Sequence, residues 1–311
     1  MNELKLKAYG KINLSLDVVD KLPNGYHKIE SVMQDIDLYD DVKIKASKDA
    51  SSSYKVVLEI SDKNLPKGPA NTAVKGALAV LEGYVGEYNC FNINIVKNIP
   101  VAAGLAGGSG NGAAAMLGIN KIIGYRYSLN ELIKIGAKLG ADFPFSIIMN
   151  AFKNKEFLAE MEGIETSGIT ALAKGIGEDL KVIDNFPSYV ILANPGISVS
   201  TKDVYENIDN CKMLKRPATN EFIKSIESKE YDKAYSLMNN VMEEYTLNKY
   251  PEVLSLKKEM FKKFKADKVL MSGSGPTLVA YFSNREKAEK AYNENELECK
   301  MWLSKTGIYK N

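Results

Sequence analysis

Residues 104–116 read GLAGGSGNGAAAM, a run of glycine and alanine that passes straight into the pattern of a helix. Three kinds of site use such a stretch. A P-loop needs Gly-Lys-Ser/Thr so that a lysine reaches the outer phosphates; here Ser109-Gly110-Asn111-Gly112 follows the glycines, and that reading fails. Gly108–Ala113 fits the G-x-G-x-x-A of a dinucleotide fingerprint. That fingerprint follows a strand directly and has an acidic residue about 20 positions on, at the end of a second strand. Glu131 has roughly that spacing but falls in an expected helix, so the context is wrong. The third reading is a loop that wraps phosphates with backbone N–H groups. Successive glycines allow positive φ and close approach to a ligand, and a helix start attracts an anion through its unpaired N–H groups and macrodipole. Ser109 would cap the helix or touch a phosphate or its metal. A glycine hinge before a buried helix explains the same residues equally well, and the loop alone leaves the two open.

The rest of the chain narrows the class. It has 311 residues, 45% hydrophobic and 26% charged, which suits two ordinary domains or one large one with a full core. Its 41 Lys and Arg against 39 Asp and Glu give a net charge of +2. No basic stripe with interleaved aromatics occurs, so no nucleic-acid partner is expected. The basic run Lys258–Lys268 reads as a solvated helix face. Cys90, Cys211 and Cys299 are far apart and lack C-x-x-C spacing, so neither a zinc site nor a disulfide framework is implied. The first residues alternate as a strand rather than forming a signal peptide, and no apolar stretch nears the roughly 20 residues of a membrane span. A cytoplasmic location and no membrane partner are the expectations.

Leu4–Val19 reads as a strand of period 2, followed by turn chemistry at Pro23-Asn24-Gly25. Two further strands are expected between Ser31 and Ala46, around LYDD, and another from Ser52 to Ile60. Asn71–Glu82 reads as a helix capped by Asn71, and Phe91–Val96 as a strand. A helix is expected from about Ser109 to Ile123. The next has a capping box of Ser128 and Glu131 and ends at Gly140. Met149–Thr166 is a charged stretch without a clear pattern. From Tyr189 a strand, two or three helices, the loop SGSGPT and the strand LVAYF suggest a second α+β domain.

The loop is not alone. Asn98–Ser109 (NIPVAAGLAGGS) resembles the phosphate loop of the GHMP kinases, and Ser272–Thr277 (SGSGPT) resembles their third motif, also glycine-rich and near the phosphates. Ala8–Leu14 (AYGKINL), Asn24–His27 (NGYH) and Gly140–Phe145 (GADFPF) are similar to one branch of that family. Asn194–Tyr205 (NPGISVSTKDVY) and Asn240–Glu243 (NVME) follow in the same order. The likeness runs from about residue 4 to residue 283. It implies an α+β fold of two-domain GHMP kinase architecture: an N-terminal domain like ribosomal protein S5 domain 2, residues 1–180, and a C-terminal ferredoxin-like α/β sandwich, residues 181–311. It also implies ATP-dependent phosphorylation of the 2-hydroxyl of 4-diphosphocytidyl-2-C-methyl-D-erythritol, in the non-mevalonate route to isoprenoid precursors. The implied partners are ATP, Mg²⁺ and this cytidine-diphosphate methylerythritol; a weak homodimer stays open.

The resemblance assigns roles residue by residue. Asp142 and Lys11 match the aspartate and lysine at the substrate hydroxyl. An ammonium beside the carboxylate would keep it ionised and able to accept a proton, and would offset charge near the phosphoryl group. Pro100, Val101, Ala102, Ala103, Gly104, Leu105, Ala106, Gly107, Gly108, Ser109, Gly110 and Asn111 form the nucleotide loop. Asn71 and Lys75 lie toward the adenine, or are merely a helix cap and a surface lysine. Tyr26 would stack on the cytosine and His27 hydrogen-bond its edge. Asn13, Thr201, Gly273 and Ser274 are further substrate contacts. Metal ligands are not legible.

Two departures stand out. The family continues its loop as G-G-S-S-(Asp or Asn)-A-A, whereas Gly110 here replaces a hydroxyl residue and Gly112 an alanine. The first would remove a phosphate or metal contact, and the second would cost up to about 1 kcal/mol of helix propensity. Between GADFPF and GITALAKGIGE (Gly168–Glu178) the stretch 149–166 reads as an insertion, expected to be a surface excursion. Another GHMP kinase, such as a homoserine kinase, and a GHMP-fold protein that binds ligand without transferring phosphate remain alternatives; Tyr26 and His27 argue against the first.

Overall fold

The computed structural model describes residues 2–50, 54–211 and 215–307. In chain order they form β1 (Glu3–Lys21), β2 (His27–Ser47), β3 (Lys55–Ile60), α1 (Thr72–Leu81), β4 (Cys90–Val96), α2 (Gly107–Ile122), α3 (Leu129–Ala137), α4 (Phe143–Lys153), α5 (Lys155–Leu158) and a 3-10 turn at Ile164–Thr166. There follow β5 (Thr170–Lys174), β6 (Asp179–Val182), β7 (Ser188–Asn194), α6 (Thr201–Ile208), α7 (Thr219–Glu227), α8 (Tyr231–Leu237), α9 (Glu243–Lys249), α10 (Pro251–Phe264), β8 (Lys268–Met271), β9 (Leu278–Phe282), α11 (Arg285–Glu294) and β10 (Lys300–Thr306). The mixture is α+β, as expected. Two compact units result. One comprises Met1–Gly10, Leu38–Val101 and Ala106–Ile169; the other comprises Lys11–Asp37, Ala102–Leu105 and Thr170–Asn311.

In the first unit the later half of β2 runs antiparallel to β4, from Asp41 opposite Val96 to Ser47 opposite Cys90, and β3 lies parallel on the far side of β4. Ile44, Phe91, Ile93 and Ile95 point into one core with α1, α2 and α4. Helix α2 is buried on nearly every side, so it is apolar and small-residue-rich all round rather than amphipathic. Glycines set how closely it packs. A Cβ on Gly76 of α1 would stand 2.6 Å from the Gly112 carbonyl oxygen, and one on Gly112 would stand 2.5 Å from the Phe143 ring.

The second unit holds the antiparallel sheet β10-β7-β9-β8. All five residues of β9, Leu278–Phe282, are buried. In this unit the first half of β2 pairs with β5, from Ser31 opposite Ala173 to Gln34 opposite Thr170, and β5 continues to β6.

Several local expectations change. β2 is one strand through LYDD, not two, because Asp40 turns inward and is fully satisfied there. It pairs with Lys97, and its Oδ1 accepts the N–H groups of Asn98 and Ile99 at 2.7 and 2.9 Å. Of the strand expected from Ser52, Ser52 and Ser53 lie outside the described residues, and β3 begins at Lys55. The capping box of Ser128 and Glu131 is present, but α3 ends at Ala137, where Leu139 and Gly140 both donate to the Gly136 carbonyl. Between β7 and β8 the described residues carry five helices rather than two or three.

The stretch 149–166 is not a surface excursion. Helix α4 runs on to Lys153, and Met149, Ala151, Leu158, Met161 and Ile164 are buried while the charged residues from Lys155 to Glu165 face out. The Asn154 side chain bonds the Lys7 backbone twice, at 3.1 and 3.0 Å, which fastens the stretch to β1. Leu158, Met161 and Ile164 recur every three residues, so the charges conceal an amphipathic turn pattern.

Candidate active site

The glycine loop starts α2 two residues earlier than its sequence implies. Gly110 N–H makes the first helical bond, to the Ala106 carbonyl at 2.8 Å. Ala106 is the N-cap, at φ 53°, with no side-chain cap. Ser109 is therefore inside the first turn and does not cap it. The N–H groups of Gly107, Gly108 and Ser109 precede the first helical donor, Gly110 N–H, so the turn presents donors and the positive end of the macrodipole. Thr72 at the start of α1 donates to the Gly108 carbonyl at 2.7 Å, which holds the loop from the side. From below, Lys97 approaches to within 3.2 Å of where a Gly107 Cβ would sit. Asn111 is buried, and its Oδ1 has no partner among the described residues.

The two departures from the family loop have steric causes. A Cβ on Gly110 would stand 2.8 Å from the Tyr9 carbonyl oxygen, so β1 leaves no room for a hydroxyl residue. Gly112 makes room for Phe143, the first residue of α4, rather than merely weakening the helix. Gly112→Ala is expected to destabilise the chain by about 1–3 kcal/mol through overpacking. With Phe143→Leu in the background most of that loss should disappear in a urea-unfolding double-mutant cycle. Equal losses in both backgrounds would clear the ring of responsibility.

Asp142 stands at the N-terminus of α4, half-buried, with no side-chain cap bond to its own helix. Phe143 and Pro144 begin the helix, and Ser146 N–H donates to the Asp142 carbonyl at 3.0 Å. The Phe143 ring fills the space over Gly112, which ties the start of α4 to the early turns of α2. Asn71 is the cap of α1: its Oδ1 accepts Ala73 N–H at 2.9 Å and its Nδ2 donates to the Pro66 carbonyl at 2.8 Å. Lys75 is exposed on the same helix.

The second unit gathers the other residues. Lys11 is 4% exposed, and its Nζ donates to Asn13 Oδ1 at 2.8 Å. Asn13 Nδ2 donates to Ser31 Oγ at 2.9 Å, and Ser31 Oγ to the Ser15 carbonyl at 2.7 Å. This chain orients the Asn13 amide and, through it, the ammonium. The backbone of Lys11 also bonds the Leu105 carbonyl at 3.0 Å. The SGSGPT loop closes on the same place. Ser272 Oγ donates to the Gly104 carbonyl at 2.9 Å. Gly104 has φ 75°, and a Cβ there would stand 2.2 Å from the Ser272 carbonyl oxygen, so only glycine satisfies both demands. The Cβ position of Gly273 is 3.6 Å from Asn13 Oδ1. Thr201 Oγ1 lies 2.9 Å from Ser274 Oγ, and Asn240 of NVME donates to both the Met271 and Gly273 carbonyls at 2.8 Å. Lys11, Asn13, Gly104, Gly273, Ser274 and Thr201 are thus brought together.

Tyr26 is 62% exposed at the β1–β2 turn, while His27 beside it is buried. The His27 ring stacks on Tyr205, with centroids 5.3 Å apart and planes at 24°, and its Nε2 lies 2.9 Å from Asp209. Neither partner is predicted from sequence as a contact of His27. Tyr205 closes a quoted motif, but Asp209, four residues on, carries no local signal. Lys21, 2.8 Å from Asp209, holds that carboxyl below the ordinary carboxylate range by its hydrogen bond, with a smaller contribution from His27.

The chain is similar to known proteins along most of its length. Residues 71–150 match the family of GHMP kinases N terminal domains, and residues 222–300 match the GHMP kinases C terminal family. A 4-diphosphocytidyl-2-C-methyl-D-erythritol kinase of Alkaliphilus oremlandii is 39% identical over 96% of this chain and 94% of its own length. The chain belongs to this family of GHMP kinases. A second member, from Lachnoclostridium phytofermentans, is 37% identical over 94% of this chain and 93% of its own. Among solved structures, a 4-(cytidine 5'-diphospho)-2C-methyl-D-erythritol kinase matches 98% of this chain and 100% of its own, with TM-score 0.75 and 23% identity. The homoserine kinase of Cytophaga hutchinsonii matches 98% and 95%, with TM-score 0.64 and 16% identity. At those identities the two structures share the fold. Among the described residues, no helix is long and apolar enough to cross a membrane.

Proposed function

We propose that the chain transfers the γ-phosphoryl group of ATP to the 2-hydroxyl of 4-diphosphocytidyl-2-C-methyl-D-erythritol, in the non-mevalonate route to isoprenoid precursors. The observation that carries this is the convergence of Lys11, Asn13, Gly104 and the SGSGPT loop on one place, in a family whose curated members bear that substrate in their names. Asp142 accepts the hydroxyl proton as the oxygen bonds to the γ-phosphorus and the bond to the ADP oxygen breaks. Lys11 orients the hydroxyl and offsets charge on the transferring group. The N–H groups of Gly107, Gly108 and Ser109 hold the phosphates. Among the described residues no group of three acidic, histidine or cysteine side chains forms a metal cage. That suits Mg²⁺, which keeps several waters and arrives mainly on the nucleotide phosphates; the Ser109 hydroxyl would offer it an oxygen ligand on the loop. Bound Mg²⁺ supplies neutralisation of phosphate charge.

Turnover of ATP should be compared with the cytidyl acceptor, homoserine, mevalonate and no acceptor. Turnover with homoserine alone would refute the substrate assignment, and binding without turnover would mark a non-catalytic relative. The exposed Tyr26 ring is assigned to stacking on the base. Tyr26→Ala is expected to raise KM for the acceptor about tenfold with kcat little changed, in line with the ~1–3 kcal/mol of a base–aromatic stack. A fall in kcat at constant KM would move Tyr26 out of ground-state binding.

A further inference from the structure

His27 is the chain's only histidine, and its side chain is 3% exposed. Among the described residues its ring hydrogen-bonds to Asp209 alone, with Nε2 2.9 and 3.1 Å from the two carboxylate oxygens. Lys21 donates to Asp209 Oδ2 at 2.8 Å, so the carboxylate is held from one side while it faces the imidazole on the other. An ionised carboxylate can only accept, so the imidazole must donate from Nε2. A neutral imidazole with its proton on Nε2 has a bare lone pair on Nδ1. Stacking of Tyr205 on the ring opposes the flip that would exchange the two nitrogens.

We propose that Asp209, seated by Lys21, is a positioning and specificity-determining residue: it keeps the His27 proton on Nε2, so that Nδ1 accepts the exocyclic amine of cytosine and rejects the carbonyl of uracil. This rests on the reading above that His27 faces the base of the acceptor. The amine of cytosine is a donor, whereas uracil and its close relative thymine place an acceptor at that position. Two lone pairs would then face each other in a buried setting, and a polar group left unpaired there is what makes such discrimination strong.

The decisive variant is Asp209→Asn. Lys21 has donors only, so it takes the amide oxygen and turns the NH2 toward His27. Nε2 must then accept, and the proton moves to Nδ1. In the double variant Asp209→Asn with Lys21→Met the amide is free to turn and the original tautomer should return in part.

The full chain, with its one histidine ¹⁵N-labelled, is read by long-range ¹H–¹⁵N correlation at neutral pH. The expected wild-type spectrum has a pyrrole-type Nε2 and a pyridine-type Nδ1, with the two exchanged in Asp209→Asn. The ratio of kcat/KM for the cytidyl over the uridyl acceptor should fall at least tenfold in Asp209→Asn, as should the preference for cytidine diphosphate over uridine diphosphate in calorimetric binding. A wild-type proton on Nδ1 or on both nitrogens would overturn the proposal, and so would an exchanged tautomer with unchanged base preference. If the tautomers behave as stated but no cytidyl acceptor is turned over and cytidine diphosphate leaves the His27 signals unmoved, the reading of the substrate fails rather than the hydrogen-bond geometry.

Discussion

Asp142→Asn is expected to lower kcat by about 10²–10⁴-fold, the usual contribution of a positioned general base, with a modest change in KM. The amide keeps the size of the carboxylate and removes its basicity. The fold should tolerate it, because the start of α4 is held by the Phe143 ring and by Ser146 N–H on the Asp142 carbonyl, neither of which the substitution removes. Equal losses in kcat and kcat/KM would identify an interaction made only in the transition state. Steady-state kinetics at saturating ATP checks this, and near-normal kcat would remove Asp142 from proton transfer.

Asp40→Ala should cause the largest loss of stability, about 3–5 kcal/mol. Asp40 is fully buried, and the Lys97 side chain is 7% exposed. Alanine would strand an ammonium in the interior and leave the N–H groups of Asn98 and Ile99 without the oxygen that now accepts both. Those residues lead into the glycine loop, and Lys97 lies under Gly107, so nucleotide affinity should fall with stability. The companion Asp40→Leu with Lys97→Met removes both charges and should recover a large part of the loss, since the cost lies in the unpaired charge more than in the missing attraction. Urea midpoints of the two variants, with ATP binding by calorimetry, check both statements. An Asp40→Ala midpoint close to that of the parent would show that the pair does not hold this region.

Much of the first unit was legible before its structure. Asn71 as a cap and the Ser128–Glu131 capping box depend on residues two or three positions apart, so a short window of sequence contains the whole interaction. The strand of β1 was legible for the same reason, through its alternation. The LYDD strand was misread because an acidic pair ordinarily marks a turn, and only Lys97 and two N–H groups 57–59 residues away make Asp40 a core residue. The stretch 149–166 was misread because its charges outweigh a sparse apolar repeat that acquires meaning only against β1 and α2.

The same division runs through the site. By itself the sequence determined the family, the order of its motifs and the residue types available for the chemistry: glycines for backbone donors, one aspartate, one lysine and a single Tyr-His pair. Those features are covalent and local, and need no packing to be read. Only the tertiary structure decided that the glycine at position 110 answers to the Tyr9 carbonyl and the one at 112 to the Phe143 ring, so that both departures from the family loop are steric. It also decided that Asn13 holds Lys11, that Ser272 closes on Gly104, and that Asp209 and Tyr205 fix the face of His27. These contacts join residues up to 182 positions apart, and their geometry follows from how the strands and helices pack.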